Sequence, residues 1–337
     1  MTKVSIQIVM WNSKQYLPFC LRSIDQQTTD DLSLLIVDNN SSDGSIQYIR
    51  EVAPQIKIFQ NRQNLGFSRA HNQAIQITRS PYVLVLNPDI VLTPNFLERL
   101  LATIEQDPQI GSVSGKLLKY YFKPDELKEP ALSDIIDSTG LQMLRSRRTF
   151  NRGEGEKDRG QYDDRPRVFG VSGAAALYRR AALENVALNG EMFDEDFFAY
   201  KEDVDLAWRL QRNGWESRYV PTAIAYHHRG AAGDVQSDSK IIRQRKHHSR
   251  FVNGYSYSNH LSMLVKNEAV STWLLDLPWI LSYELKKFLF LLIFETSTVG
   301  SLNRFFHQLP KMRMKRRLIK QSQKVSASTL RNTFMKT

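Results

Sequence analysis

Short apolar runs and helical apolar stripes alternate along the first part of this chain. Val4 to Met10 reads as a buried strand, and after Asn12 the residues Leu17, Cys20, Leu21 and Ile24 recur at helical spacing. Leu34 to Val37 is a second apolar run that enters DNNSSDGS, a cluster of turn and cap formers. Ile46, Ile49 and Val52 then give a helix face that ends at Pro54, and Ile56 to Phe59 makes a third strand. NRQNLGFSRAHNQAIQI supplies a loop with Gly66 and a helix carrying Ala70, Ala74 and Ile77, before a strand from Tyr82 to Leu86. The order βαβαβαβ predicts a mostly parallel sheet with helices on both faces, the doubly wound α/β class.

In such sheets ligands sit outside the carboxyl ends of the strands. Asn12, Asp38 with Asn39, Asn64 with Gly66, and Asp89 all follow strands at that edge, so separate segments bring polar groups to one rim. Asn87-Pro88-Asp89 breaks the apolar run YVLVLNPDIVL; it is good turn chemistry and also presents a carboxylate. Thr93 as N-cap and Pro94 at the first helical position open a helix to about Gln106. Residues 120–168 are polar and rich in charge and glycine, and NRGEGEKDRGQYDDRPR reads as a mobile loop or lid with little capacity to form core.

VFGVSGAAALYRRAAL, residues 168–183, returns to a strand and a short helix. In MFDEDFFAYKEDVDLAWRLQRNGW, Val204, Ala207, Trp208 and Leu210 fall at helical spacing, which puts Glu202, Asp203 and Asp205 in the first turn of a helix. The helix dipole favours negative charge there. Arg218 to Tyr226 alternates as a strand and ends at His227 and His228.

No glycine fingerprint of a dinucleotide site follows the first strand, and no GKS or GKT phosphate loop is present. Both weaken hydride transfer and P-loop phosphoryl transfer. Asp89 with an imidazole and diphosphate oxygens suits Mg2+ or Mn2+. Asp38 is placed to accept hydrogen bonds from a base or ribose, and Asp203 is a candidate general base. Taken singly, Asp38 reads equally as a turn former, Asp203 as a helix-dipole acid and His227-His228 as a polar strand end.

Composition adds bounds. A chain of 337 residues, 42% hydrophobic, can bury one large core plus an appended segment. Its one cysteine, Cys20, permits neither an intrachain disulfide nor a thiolate metal cage. MTKVSIQIVMWN lacks the pattern of a signal peptide, so the expected location is cytoplasmic. Of the formal charge of +11, residues 241–337 contribute 17 Lys/Arg against 4 Asp/Glu, and the remainder is near neutral. Such asymmetry calls for an anionic partner. Residues 273–294 are apolar and aromatic but carry Asp276, Glu284, Lys286 and Lys287, too much charge for a spanning helix, and KMRMKRRLIK follows at 311–320. Two readings stand: helices lying in the interface of an anionic leaflet, or a segment that packs on the main domain or makes a homodimer.

The ordered motifs VMWN at 9–12, LLIVDNNSSDGS at 34–45, NLGFSRAHN at 64–72, VLNPDI at 85–90, VSGAAALYRRAAL at 171–183, FDEDFFAYKEDVDLAWR at 193–209 and YHHRGA at 226–231 carry a resemblance. Over about residues 3–267 the chain resembles the glycosyltransferase family 2 enzymes of GT-A fold, in particular the bacterial rhamnosyltransferase-like branch. The resemblance implies a Rossmann-like catalytic domain over 1–265, with a nucleotide-binding half at 1–118 and an acceptor half at 119–265, followed by a basic helical, membrane-associating tail at 266–337. It assigns nucleotide-sugar contacts to Asn12, Asp38, Asn64, Gly66 and Asp89, and metal ligation to Asp89 with His227, or with His228 in its place. From the pair Glu202-Asp203 it takes Asp203 as the base for single displacement with inversion. Asn87 stands where a strict DxD motif has its first aspartate, and Trp11 where tyrosine is usual.

The implied activity is transfer of rhamnose from dTDP-rhamnose to a glycan or lipid-linked acceptor of a cell-surface polysaccharide, with Mg2+ or Mn2+, by a peripheral protein on the inner face of the plasma membrane. Within the enzyme class the rival is another sugar from a UDP or GDP donor. From another class comes a nucleic-acid- or anion-binding protein acting through the basic tail. Against it, the basic residues are not interleaved with a recognised module, and the acidic rim would repel phosphates without a metal. A catalytically dead sugar-nucleotide binder would have no use for Asp203.

Overall fold

The computed structural model of the protein describes residues 2–121, 131–228 and 250–336. In chain order the strands are β1 (Val4–Met10), β2 (Leu32–Asp38), β3 (Lys57–Gln60), β4 (Tyr82–Leu86), β5 (Ile90–Leu92), β6 (Ile110–Tyr121) and β7 (Ala131–Ser138). There follow β8 (Leu141–Leu144), β9 (Thr149–Asn151), β10 (Arg167–Val168), β11 (Ala175–Arg179), β12 (Glu216–His227) and β13 (Met335–Lys336). The helices among them are α1 (Leu17–Asp25), α2 (Ser45–Val52), α3 (Gly66–Ile77), α4 (Phe96–Gln106), α5 (Arg180–Asn185) and α6 (Glu202–Arg212). The C-terminal part adds α7 (Arg250–Asn267), α8 (Val270–Leu275), α9 (Leu277–Phe294), α10 (Thr296–Val299), α11 (Ser301–Ser322) and α12 (Ala327–Phe334).

The βαβαβαβ order read from the sequence is realised, and β1 to β4 run parallel in the spatial order β4-β1-β2-β3. The sheet continues through β11, antiparallel to both β4 and β6, and then β12, parallel to β6. Alternate residues of β4 serve two cores. Leu84 and Leu86 join Ile6, Ile8 and Phe96 on one face, and Val83 and Val85 join Tyr178 and Leu206 on the other. Chain order reverses between β1 and β4, the crevice at which open α/β sheets bind ligands, and Asn12 and Asp89 follow those two strands.

One expectation needs correction. Residues 131–168 are not a coreless lid, whereas 122–130 lie outside the described residues. β7 pairs with β6, β8 and β9 form a small sheet with β13, and Ile136, Leu141 and Met143 are buried. The polar character of this stretch misled because two of its cations, Arg147 and Arg152, are buried. Arg147 is fully buried and donates to Glu268 through Nε at 2.5 Å and to Asp276 through Nη1 at 2.8 Å. Of the two readings of the tail, the described contacts match packing on the main domain. The expected boundary at 265 falls inside α7, and Met312, Leu330 and Phe334 share a buried cluster with Met143, Phe169 and Trp208. Of the motif YHHRGA, Arg229 to Ala231 lie outside the described residues. Among the described residues no helix is long and apolar enough to cross a membrane.

Replacing Arg147 by methionine leaves Glu268 in the interior without its cation and Asp276 with Arg331 alone. Chemical denaturation should register a loss of about 3–5 kcal/mol, the usual consequence of breaking a buried ion pair. Lys57→Met on the exposed edge strand should stay within about 0.5 kcal/mol of the parent; equal effects would show that the buried cation is not a keystone.

Candidate active site

The rim at the ends of β1, β2 and the loop before α3 is tied together by short hydrogen bonds. Asn12, in left-handed conformation (φ 53°), donates its backbone N–H to Ser41 Oγ at 2.9 Å and accepts the Ser42 N–H through Oδ1 at 2.8 Å. Asp38 is buried at the end of β2, and both carboxylate oxygens accept from the Ser41 N–H, at 3.3 and 3.2 Å. Its turn-forming reading is therefore realised. Asn39 donates to the Gly66 carbonyl at 3.1 Å, and Asn64 Oδ1 accepts the Gly66 N–H at 2.9 Å. Position 66 must be glycine: φ is +80°, and a Cβ there would sit 2.5 Å from the Phe198 carbonyl oxygen.

Asn87-Pro88-Asp89 makes the turn between β4 and β5, closed by the Ile90 N–H on the Asn87 carbonyl at 3.3 Å and anchored by the Asn87 N–H on the Ala174 carbonyl at 2.8 Å. β5 then pairs antiparallel with β12, so that His227 lies opposite Ile90. His227 Nε2 comes 3.5 Å from Asp89 Oδ1, and its Nδ1 is 2.8 Å from Asp137 Oδ2. Burial disfavours the imidazolium, but Asp89 and Asp137 outweigh it and push the His227 pKa up to about 9. His228 turns elsewhere: its Nδ1 faces the Tyr120 carbonyl at 3.2 Å, and its ring lies 5.5 Å from that of Tyr16 and 5.3 Å from that of Tyr120.

No group of three or more histidine, cysteine or acidic side chains among the described residues makes a metal cage by itself. Asp89 and His227 do offer one carboxylate oxygen and one imidazole nitrogen side by side. That donor set fits Mg2+ or Mn2+ completed by diphosphate oxygens.

Glu202 and Asp203 open α6 as read from the sequence. Asp203 accepts the Gly173 N–H through Oδ2 at 3.3 Å and the Val204 N–H through Oδ1 at 2.8 Å. Glu202 is buried, with no hydrogen-bond partner at Oε2, and burial followed by the charge of Asp203 pushes its pKa up to about 8. The segment just upstream is strained. Phe198 adopts φ 62° and ψ −67°, and the Ala199 N–H meets the Phe197 carbonyl at 2.7 Å, a γ-turn of the rare positive-φ kind. Tyr200 (φ 72°) and Lys201 (φ 70°) are also left-handed. Each such residue costs on the order of 1–3 kcal/mol and persists only where its surroundings over-determine it.

Here the surroundings are the tail. Asn259 of α7 donates to the carbonyls of Phe197, Ala199 and Tyr200, each at 2.8 Å. Upstream, Asp194 meets Lys266 of α7 and Lys315 of α11, both at 2.5 Å. Burial works against its charge, and the two ammonium groups more than offset that, holding Asp194 well below the usual carboxylate range.

Asp89, Glu202, Asp203 and His227 line one open cleft of about 690 Å³. Asn12, Asp38, Asn64 and Gly66 do not line it; Phe67, next to Gly66, does. Sequence reasoning missed Asp137, Phe150, which also lines the cleft, and Asn259, the first two because residues 120–168 read as a lid. The distant partners of Asn259 leave no local signal.

The family model for glycosyl transferase family 2 matches residues 5–187, and the chain belongs to that family. It is 29% identical over 255 residues to N-acetylglucosaminyl-diphospho-decaprenol L-rhamnosyltransferase of Mycobacterium tuberculosis, across 71% of this chain and 80% of that protein. GalNAc-T7, crystallised with UDP, GalNAc and Mn2+, shares the fold at TM-score 0.55 and 15% identity, over 79% of this chain and 51% of that one, so the chain spans about half of its length. Mannosyltransferase PcManGT from Pyrobaculum calidifontis, in complex with GDP-Man and Mn2+, matches at TM-score 0.52 and 13% identity over 95% and 86% of the two chains. The fold is GT-A, as the motifs implied.

Glu202 makes stability depend on pH. Between the ordinary pKa of 4.5 and about 8, the folded chain keeps a proton that the unfolded chain releases, so this contribution falls as pH rises. Thermal unfolding across that window should show a shallower decline for Glu202→Gln than for the parent. Identical slopes would remove the raised pKa.

Proposed function

We propose that the protein is an inverting glycosyltransferase that moves a sugar, rhamnose from dTDP-rhamnose, onto a glycan or lipid-linked acceptor in cell-surface polysaccharide synthesis. The observation that carries this reading is the cleft itself: the Asp89–His227 corner and Asp203 share one wall-to-wall space. In the proposed reaction the donor diphosphate lies against Asp89 and His227, with the nucleoside toward Asn12, Asp38, Asn64 and Gly66. A divalent ion bound there would neutralise the charge that builds on the departing diphosphate. Asp203 accepts the proton of the acceptor hydroxyl as its oxygen bonds to the anomeric carbon and the bond to the diphosphate breaks. Burial, followed by the charge of Asp203, raises the Glu202 pKa to about 8, which disfavours Glu202 as the base. The rhamnosyl choice is supported by the name of the mycobacterial relative; the rival is another sugar from a UDP or GDP donor, since UDP and GDP-Man are named with the two solved neighbours.

A lipid-linked acceptor has separate support. Trp273, Leu274, Trp279, Leu281, Leu285 and Ile293 of α8 and α9 are exposed, and α11 exposes Arg313, Arg317 and Lys320. Exposed apolar and aromatic side chains together with exposed cations suit the interface of an anionic leaflet, on the inner side of the plasma membrane. Part of the tail's basic excess is consumed internally, since Lys266 and Lys315 neutralise Asp194. That weakens the nucleic-acid reading more than the membrane one, which rests on apolar surface.

Asp203→Asn should lower turnover by about 10²–10⁴-fold, the usual worth of a general base, while nucleotide binding followed by thermal shift stays intact. Turnover at the parental rate would refute the assignment. Flotation with phosphatidylglycerol vesicles should capture the parent protein and lose the Trp273→Ser, Trp279→Ser, Leu281→Ser variant; equal capture of both would end the membrane reading.

A further inference from the structure

We propose that Asp137 is a positioning residue of the diphosphate corner, holding the His227 ring so that Nε2 faces Asp89. The inference rests on the metal-assisted reading above and assigns a role to a residue from a segment that the sequence presents as a lid. Asp137 lies on β7 and His227 at the end of β12, on opposite sides of β6, where Leu118 pairs with Ile136 and Lys119 with His227. Across that strand Asp137 Oδ2 meets His227 Nδ1 at 2.8 Å, and both side chains are buried. On the other side of the ring, Nε2 points to Asp89 Oδ1 at 3.5 Å.

Chemistry explains why a carboxylate belongs on Nδ1. A neutral imidazole can give a lone pair to a metal from Nε2 only if its proton resides on Nδ1. A carboxylate accepting that N–H fixes the tautomer, fixes the ring plane and strengthens the opposite nitrogen as a donor. The arrangement also separates the two histidines. His228, on the next position, directs Nδ1 to the Tyr120 carbonyl and keeps its ring beside Tyr16 and Tyr120. A purely structural Asp137–His227 pair would serve to join β7 to β12, and this is the alternative the experiment must separate.

The test titrates manganese into the full chain in the presence of dTDP or UDP, reading free Mn2+ by electron paramagnetic resonance. Parent, Asp137→Asn, Asp137→Glu, His227→Ala and the Asp137→Asn, His227→Ala double variant are compared, with circular dichroism as a check of folding. Expected are an affinity lowered by about 10–100-fold in Asp137→Asn, partial recovery in Asp137→Glu, and no further loss when Asp137→Asn is added to His227→Ala. Parental affinity in a folded Asp137→Asn, or the same loss in both backgrounds, overturns the positioning role alone. A parent that binds no manganese with either nucleotide overturns the metal reading, and this role with it.

Discussion

The antiparallel pairing of β5 with β12 is the constraint on which the cleft depends. β5 is only Ile90 to Leu92, and it exists because Asn87-Pro88-Asp89 turns the chain away from β4 just before it, toward β12. Pairing sets the His227 backbone opposite Ile90, one residue from Asp89, and so a carboxylate and an imidazole meet 3.5 Å apart from positions far apart in sequence. The backbone is tied on both sides: the His228 N–H donates to the Asp89 carbonyl at 3.0 Å. A slip of one residue would turn His227 to the other face of the strand and separate the pair.

The second dependence runs through the C-terminal helices. The GT-A core supplies Asp203 at the start of α6, but the turn that delivers it is strained at Phe198, Tyr200 and Lys201. α7 and α11 hold that turn through Asn259, Lys266 and Lys315. Strain is thus balanced by a buried polar network, and the tail is part of what makes the site rigid. Because α8 and α9 expose apolar and aromatic side chains while α7 grips the turn before α6, the proposed membrane face and the proposed base belong to one connected assembly.

Much of this was legible in the sequence, and the reasons divide cleanly. The parallel strands β1 to β4 and their crossovers follow from apolar runs and caps, which are local signals. Asp89, Glu202 and Asp203 could be located because turn chemistry and helix periodicity place them at element ends. Asp137, Arg147 and Asn259 could not. Each sits in polar sequence whose partners lie far along the chain, and composition cannot distinguish a solvated charge from one buried against a distant opposite. For the same reason packing of the tail on the main domain stayed one reading of two: a count of its lysines and arginines does not reveal that Asp194 and Asp276 take up Lys266, Lys315 and Arg331. Which of His227 and His228 stands beside Asp89 likewise needed the register of β12 against β5.

The most direct test of the account is the anomeric configuration of the sugar at its first release. Proton NMR would follow the slow hydrolysis of dTDP-rhamnose, or of the nucleotide sugar that binds best, with water standing in for the acceptor. A single displacement assisted by Asp203 predicts that the first free sugar to accumulate has the anomeric configuration opposite to the donor's. Release with retained configuration would contradict a one-step displacement and require a different role for Asp203.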